Sequence, residues 1–237
     1  MRIRRPALPI AAALLAAALA PALLAGTTES TLFTKPVQLT REHRIDLWRI
    51  ENPDIEPGAI AFVGDSITAG FPLLTAFPEQ RTINRGIPGD TSAQVLERMQ
   101  ESVYDLDPGI VVLMIGTNDL GHGGTVEQAV ENTARIVRLV QANEPQAHIL
   151  LQSVYPVYDG DPAALARSSV GLRTNDALDD INAALRALAG LAGVEYIDVN
   201  SALRGPDGLR AEYTVDGLHL SPAGYEAAAT VLADVLR

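Results

Sequence analysis

Six consecutive apolar residues, Ile110-Val111-Val112-Leu113-Met114-Ile115, run into Gly116 without a polar break. A strand with one wet face alternates apolar and polar side chains. An unbroken run therefore predicts a strand covered on both faces, which is the position of an inner strand in a parallel sheet. The rest of the chain supplies the neighbours. Shorter strand patterns fall at residues 59–63, 82–84, 148–152 and 194–199. Helical patterns separate them. Residues 91–105 place Val95, Leu96 and Met99 on one face, and residues 125–143 open on a Thr125…Gln128 capping box. A further helix is expected at 175–191. The last, at 222–236, has Ser221 as N-cap and Pro222 at its first position. Strands alternating with helices predict an α/β fold. Here that means a doubly wound five-stranded parallel sheet with right-handed crossovers and helices on both faces.

The N-terminal quarter is organised differently. Arg2, Arg4 and Arg5 precede a stretch, residues 7–26, made almost wholly of Ala, Leu, Ile and Pro. A positive start followed by an apolar core reads as a secretory signal peptide, and an uncleaved membrane anchor is the alternative. Thr27 stands where a lipidated cysteine would follow Leu24-Ala25-Gly26, which excludes that attachment. The chain is thus divided into a signal or anchor at 1–26, a linker and N-terminal helix at 27–55, and a single main domain at 56–237. Within the second part, residues 27–36 read as a loose polar linker. Residues 40–52 read as a helix capped by Thr40, with Ile45/Trp48 and Leu47/Ile50 paired three apart and Trp48 as a packing residue.

The formal charge of −11 argues against nucleic acid as a partner, and leaves residues 7–26 as the only expected membrane contact. With no cysteine in the chain, disulfides, thiolate nucleophiles and Cys-ligated zinc are excluded.

Four polar stretches stand at or after strand ends, or just before the last helix: Gly64-Asp65-Ser66, residues 84–91 with Gly89, Gly116-Thr117-Asn118-Asp119, and Asp216-Gly217-Leu218-His219. In a parallel sheet the C-terminal strand ends share one edge, so residues distant in sequence converge there. Acyl transfer needs the groups these stretches contain. Ser66 is a candidate nucleophile, His219 its base, and Asp216 the group that fixes the imidazole tautomer. The backbone N–H groups of Ser66 and Gly89 and the Asn118 amide are candidate donors to an oxyanion.

These four blocks, in this order, resemble the SGNH (GDSL-type) hydrolases over roughly residues 56–237. The resemblance implies a flavodoxin-like fold and ester hydrolysis without metal or cofactor. It implies catalytic Ser66, Asp216 and His219, and an oxyanion hole of Ser66, Gly89 and Asn118. Arg85, Asp90 and Asp119 are then expected to brace loops, and Phe71-Pro72-Leu73-Leu74 departs from the usual pattern. The expected substrate is a small-molecule or glycan ester with a short acyl or O-acetyl group, met outside the cytoplasm, in a secreted or periplasmic location. Lysophospholipase and thioesterase activities remain open, as does oligomeric state. Three other readings stand beside it. An α/β-hydrolase needs a G-x-S-x-G elbow, which Ser66-Ile67-Thr68 does not supply. A two-metal phosphoesterase could use Asp65, Asn118, Asp119 and His219. A catalytically silent carbohydrate- or lipid-binding module could share the fold. His43, His122 and His148 are expected to be structural or surface residues, with substrate contact open for His122.

Overall fold

The computed structural model describes residues 30–236, so the expected export segment at 1–26 lies outside it. Helix α1 (Ser30–Glu51) leads through a turn at Asn52–Asp54 to β1 (Ile60–Gly64), α2 (Ser66–Ala69) and α3 (Leu73–Ala76). Next come β2 (Thr82–Gly86), α4 (Ser92–Glu97), α5 (Met99–Ser102) and β3 (Ile110–Met114). Then follow α6 (Thr117–Gly121), α7 (Val126–Asn143), β4 (His148–Gln152), α8 (Asn175–Ala192) and β5 (Glu195–Ile197). Short α9 (Asn200–Leu203), a small antiparallel ribbon of β6 (Arg204–Gly205) and β7 (Gly208–Leu209), and α10 (Pro222–Ala233) complete the chain.

The sheet has five parallel strands in the order β2-β1-β3-β4-β5. Val111 to Ile115 are buried, as the unbroken apolar run requires. Strand order reverses at β1, so right-handed crossovers send the connections to opposite faces. On one face α4 packs on α7 and α7 on α8. On the other, α10 meets the segment after β1. The Tyr225 hydroxyl donates to the Ile67 carbonyl at 2.9 Å, and its ring meets Phe71 edge-on at 5.1 Å. Phe62, Phe71 and Phe77 stack together beneath it, each buried and each worth about 1.5–3 kcal/mol of transfer free energy.

Several local expectations give way. The first helix begins at Ser30, not Thr40, so residues 30–36 are helical where a loose linker was expected. That stretch has no glycine, and its single Pro36 removes one ladder bond without ending the helix. Ile45 and Trp48 are buried, but Leu47 and Ile50 are 39% and 72% exposed, because only one face of α1 meets the domain. The helix expected at 91–105 breaks at Arg98 into α4, α5 and a 3-10 turn. Val95 and Met99 stay buried, while Leu96 is half-buried. The break turns the Arg98 side chain inward, where three acceptors await it. The Thr125…Gln128 capping box and the Ser221 cap are present, and Thr91 and Gln94 form a second box.

Candidate active site

The site lies on the C-terminal edge of the sheet, where strand order reverses. β1 delivers Ser66 there through a turn too tight for any side chain at Gly64, whose Cβ would strike Thr68 Oγ1 and the Met114 carbonyl. Asp65 caps α2, accepting the Ile67 N–H at 2.9 Å. After β2, Gly89 adopts φ +85°, a left-handed conformation that favours glycine. Among the described residues, no protein group accepts the backbone N–H of Ser66 or of Gly89. After β3, Asn118 on α6 donates through Nδ2 to the Asp90 carbonyl at 3.0 Å. The second N–H of that amide is left for another acceptor.

His219 reaches the same edge from a loop closed by the Thr214–Leu220 bridge. Thr214 Oγ1 donates to the His219 carbonyl at 2.9 Å and accepts the Gly217 N–H at 2.8 Å. Asp216 turns back on its own loop. Its Oδ1 accepts the His219 N–H at 2.8 Å, and its Oδ2 lies 2.8 Å from His219 Nδ1. Ser169 Oγ donates to the same Oδ2 at 2.8 Å. His219 Nε2 lies 2.9 Å from Ser66 Oγ. With a carboxylate at Nδ1, the hydrogen-bond network assigns the proton to Nδ1 and leaves Nε2 to accept the Ser66 O–H. The structure thus brings Ser66, His219 and Asp216 into one chain of hydrogen bonds, with Gly89 and Asn118 on the neighbouring strand ends.

Two buried aspartates, Asp216 within this chain and Asp65 beside it, stand in opposite conditions. Burial pushes the Asp216 carboxyl up, but the hydrogen bonds from His219 and Ser169 and the imidazolium charge outweigh it and hold it down at about 2. Asp216 is therefore an anion at any neutral pH. Burial pushes Asp65 up to about 6, because its single backbone hydrogen bond and distant cations do not compensate, and its Oδ2 has no partner among the described residues.

Behind the oxyanion side lies a set of arginines. Arg98, 1% exposed, donates to Asp90 Oδ2 at 2.6 Å, the Gly64 carbonyl at 2.8 Å and the Arg85 carbonyl at 3.0 Å. Burial raises the Asp90 carboxyl and lowers the Arg98 guanidinium, while each supplies the other's counter-charge. Arg41 of α1 grips Asp90 Oδ1 at 3.2 Å. Trp48 roofs the group, with the Arg85 and Arg98 guanidinium carbons 4.8 and 5.4 Å from its ring centre. Arg85 also donates to Asn52 Oδ1 at 2.6 Å. Asp119 accepts Ser92 N–H at 2.9 Å and the Ser92 hydroxyl. Arg85, Asp90 and Asp119 thus brace loops, as the resemblance implies. Nothing in the sequence singles out Arg41, Arg98, Ser169 or Arg173, since a lone arginine or serine carries no motif. The inward-facing break of a predicted helix at Arg98 is the only local trace, and it is visible only in three dimensions.

His43, His122 and His148 are exposed, and His148 pairs with Glu195 at 3.0 Å. Among the described residues no group of three or more His, Asp or Glu side chains is placed to hold a metal ion. Asp65 and Asp119, named for a two-metal site, are instead bound to the Ile67 N–H and to Ser92.

Residues 62–227 match the GDSL-like Lipase/Acylhydrolase family. Among curated proteins, the chain is 29% identical over 192 residues to the alpha1 subunit of platelet-activating factor acetylhydrolase IB from Bos taurus, with 78% of each chain covered. Among solved structures it is similar to a provisionally named platelet activating factor from Streptococcus pneumonia. That match has a TM-score of 0.81 and 32% identity, over 88% of this chain and 98% of the other. It is also similar to a GDSL-like lipase from Bacteroides thetaiotaomicron, with a TM-score of 0.69 and 26% identity, over 81% and 96% of the two chains.

Proposed function

Because the chain belongs to the GDSL-like lipase/acylhydrolase family, and is a carboxylic ester hydrolase, we propose that it is an exported serine esterase that removes short acyl groups through an acyl-enzyme. The observation that carries the mechanism is the continuous contact from Asp216 Oδ2 through His219 to Ser66 Oγ, at 2.8 and 2.9 Å. Ser66 Oγ attacks the ester carbonyl carbon while its proton passes to His219 Nε2. The tetrahedral oxyanion takes hydrogen bonds from the Ser66 and Gly89 N–H groups and from Asn118 Nδ2. As the intermediate collapses, the bond to the leaving alcohol breaks and His219 returns the proton to that oxygen. Water then repeats the sequence on the acyl-Ser66 ester, with His219 again as base and then acid. Asp216 stays ionised throughout and balances the imidazolium.

Short acyl groups are favoured by two observations. Relatives that align over 78% of the chain are named acetylhydrolases. The connection from Asp159 to Arg173, which passes the site, is mostly exposed, and its apolar residues are mainly short alanines set among Asp159, Asp161, Arg167 and Arg173. Export is supported by the positive start and apolar run of residues 2–26.

The test is a fluorophosphonate probe followed by a panel of acyl esters and acetylated polysaccharides, with the purified enzyme in EDTA. Labelling at Ser66, hydrolysis that survives EDTA, and higher kcat/KM for acetyl to butyryl esters are expected. No labelling would leave a silent binding module, and loss on chelation restored by a divalent ion would favour the phosphoesterase. A tenfold preference for acyl chains beyond about ten carbons, or roughly 1.4 kcal/mol of transition-state binding, would favour a lysophospholipase. Cell fractionation reads the location: an intact chain from Met1 in the soluble cytoplasm would overturn export.

A further inference from the structure

The amide of Asn118 has two ends of nearly equal size, and only one of them helps. With Nδ2 toward the substrate it donates to the oxyanion; turned by 180° it would face that oxygen with its own. Two contacts decide between them. Nδ2 donates to the Asp90 carbonyl at 3.0 Å, and Oδ1 accepts Arg173 Nη2 at 2.6 Å. A flipped amide would set oxygen against the Asp90 carbonyl and N–H against the guanidinium, losing both bonds.

Arg173 is well placed to enforce this. Its Nε donates to the Thr117 carbonyl at 2.9 Å and to Thr117 Oγ1 at 3.1 Å, one residue before Asn118. Its Nη1 donates to the carbonyls of Val170 at 2.9 Å and Ser169 at 3.3 Å. The guanidinium fills the space over Gly121, where a Cβ would collide with it. Ser169, gripped through its carbonyl, is also the residue whose hydroxyl meets Asp216 Oδ2 and whose N–H meets the Asp216 carbonyl, both at 2.8 Å. One planar fork thus joins the segment behind Asp216 to the amide beside Ser66. A charged donor on Oδ1 also draws electron density from the amide and makes its N–H groups stronger donors.

We propose that Arg173 is a positioning residue for the oxyanion hole, locking Asn118 with its N–H toward the substrate and sharpening that donor. The inference rests on the assignment of Asn118 to the oxyanion hole. Its benefit falls on the transition state, where the oxygen carries charge, so Arg173 acts on kcat and leaves substrate binding nearly alone. Through Asn118, its largest effect is the loss of that donor, ~10²–10³-fold in kcat.

The experiment is a double-mutant cycle on the full chain with a short-acyl ester. Arg173→Ala should lower kcat about 10–10²-fold, with KM within about twofold. In the Asn118→Ala background the same change should cost less than about threefold, because the residue it acts through is gone. Arg173→Lys should recover only a part, since an ammonium cannot span Thr117, Asn118 and the Ser169-Val170 carbonyls at once. If Arg173→Ala does not fold, Gly121→Ala displaces the guanidinium from the other side and is read in the same cycle. An equal loss with and without Asn118, or a loss seen wholly in KM, overturns the proposal. If Asn118→Ala alone keeps full kcat, the oxyanion assignment beneath it fails instead, and that arm is read first.

Discussion

Asp216 and His219 lie three residues apart and meet within one loop, whereas Asp90 and Asn118 are held in part by side chains 49 and 55 residues away, at Arg41 and Arg173. The relay half is nearly self-contained. Thr214, Asp216, Gly217 and His219 satisfy one another, and besides Ser66 itself Ser169 adds a hydrogen bond from elsewhere. The oxyanion half is assembled from α1, the break between α4 and α5, and the connection after β4. A proton relay needs two side chains at fixed separation, which a short turn provides. An oxyanion hole needs three N–H groups from three strand ends aimed at one point, and only a framework spanning the domain can hold them.

Asp216→Asn is the most damaging test of the local half. An amide in place of the carboxylate leaves the geometry but removes the charge that holds the Nδ1 proton. We expect kcat to fall by ~10⁴ with the fold intact. A fall smaller than that of Asn118→Ala would break the contrast. Asn118→Ala tests the assembled half, with kcat expected to drop ~10²–10³, or about 2.7–4 kcal/mol, and KM to change far less. Asn118→Asp should be at least as harmful, since a carboxylate has no donor for the oxyanion. Unaltered kcat in a folded Asn118→Ala enzyme would remove it from the oxyanion hole.

The third test concerns stability and Asp65, whose Oδ1 alone is hydrogen-bonded among the described residues. Its folded carboxyl titrates near 6, above the ordinary ~3.9. Between these values the folded chain holds a proton that the unfolded chain has released. Stability from this group is therefore greatest below about pH 4 and falls as pH rises to about 6, by up to ~3 kcal/mol. Asp65→Asn should flatten that slope, measured as the difference in urea unfolding between the two proteins at pH 4 to 7. The new amide keeps the Ile67 N–H but meets the same surroundings on the Oδ2 side, so the slope is the readout, not the absolute stability. Parallel slopes would show that Asp65 is satisfied in the folded enzyme. Asp216 contributes in the opposite sense: with its folded carboxyl held low, its stabilisation is present above about pH 4 and is lost as pH falls toward 2.

What the sequence makes legible follows the same division. The central strand is read from its apolar run, the Thr125 cap from its spacing to Gln128, and Asp216 with His219 from a turn that folds on itself. Each of these signals is complete within a few residues. Arg98 sits in a good helical pattern, and nothing nearby announces that its side chain will leave the helix for Asp90, Arg85 and Gly64. Arg173 ends a loop with no periodicity at all. The Leu47/Ile50 pair misleads for a related reason. Spacing predicts a stripe, but which stripe is covered depends on Ile87 and the arginines against which α1 docks.

The match to the family model begins at residue 62, yet Ile45, Trp48, Arg41 and Asn52 lie before it and cover Ile87, Arg98, Asp90 and Arg85. The segment that the family model matches and the unit that packs as one piece are therefore not the same stretch of chain. An enzyme begun at residue 56 would carry every group named in the chemistry, but Ile87 would meet water and the buried Arg98 would lose the indole over it. The catalytic segment is not a portable cassette: anyone grafting, trimming or shuffling it has to carry α1 along.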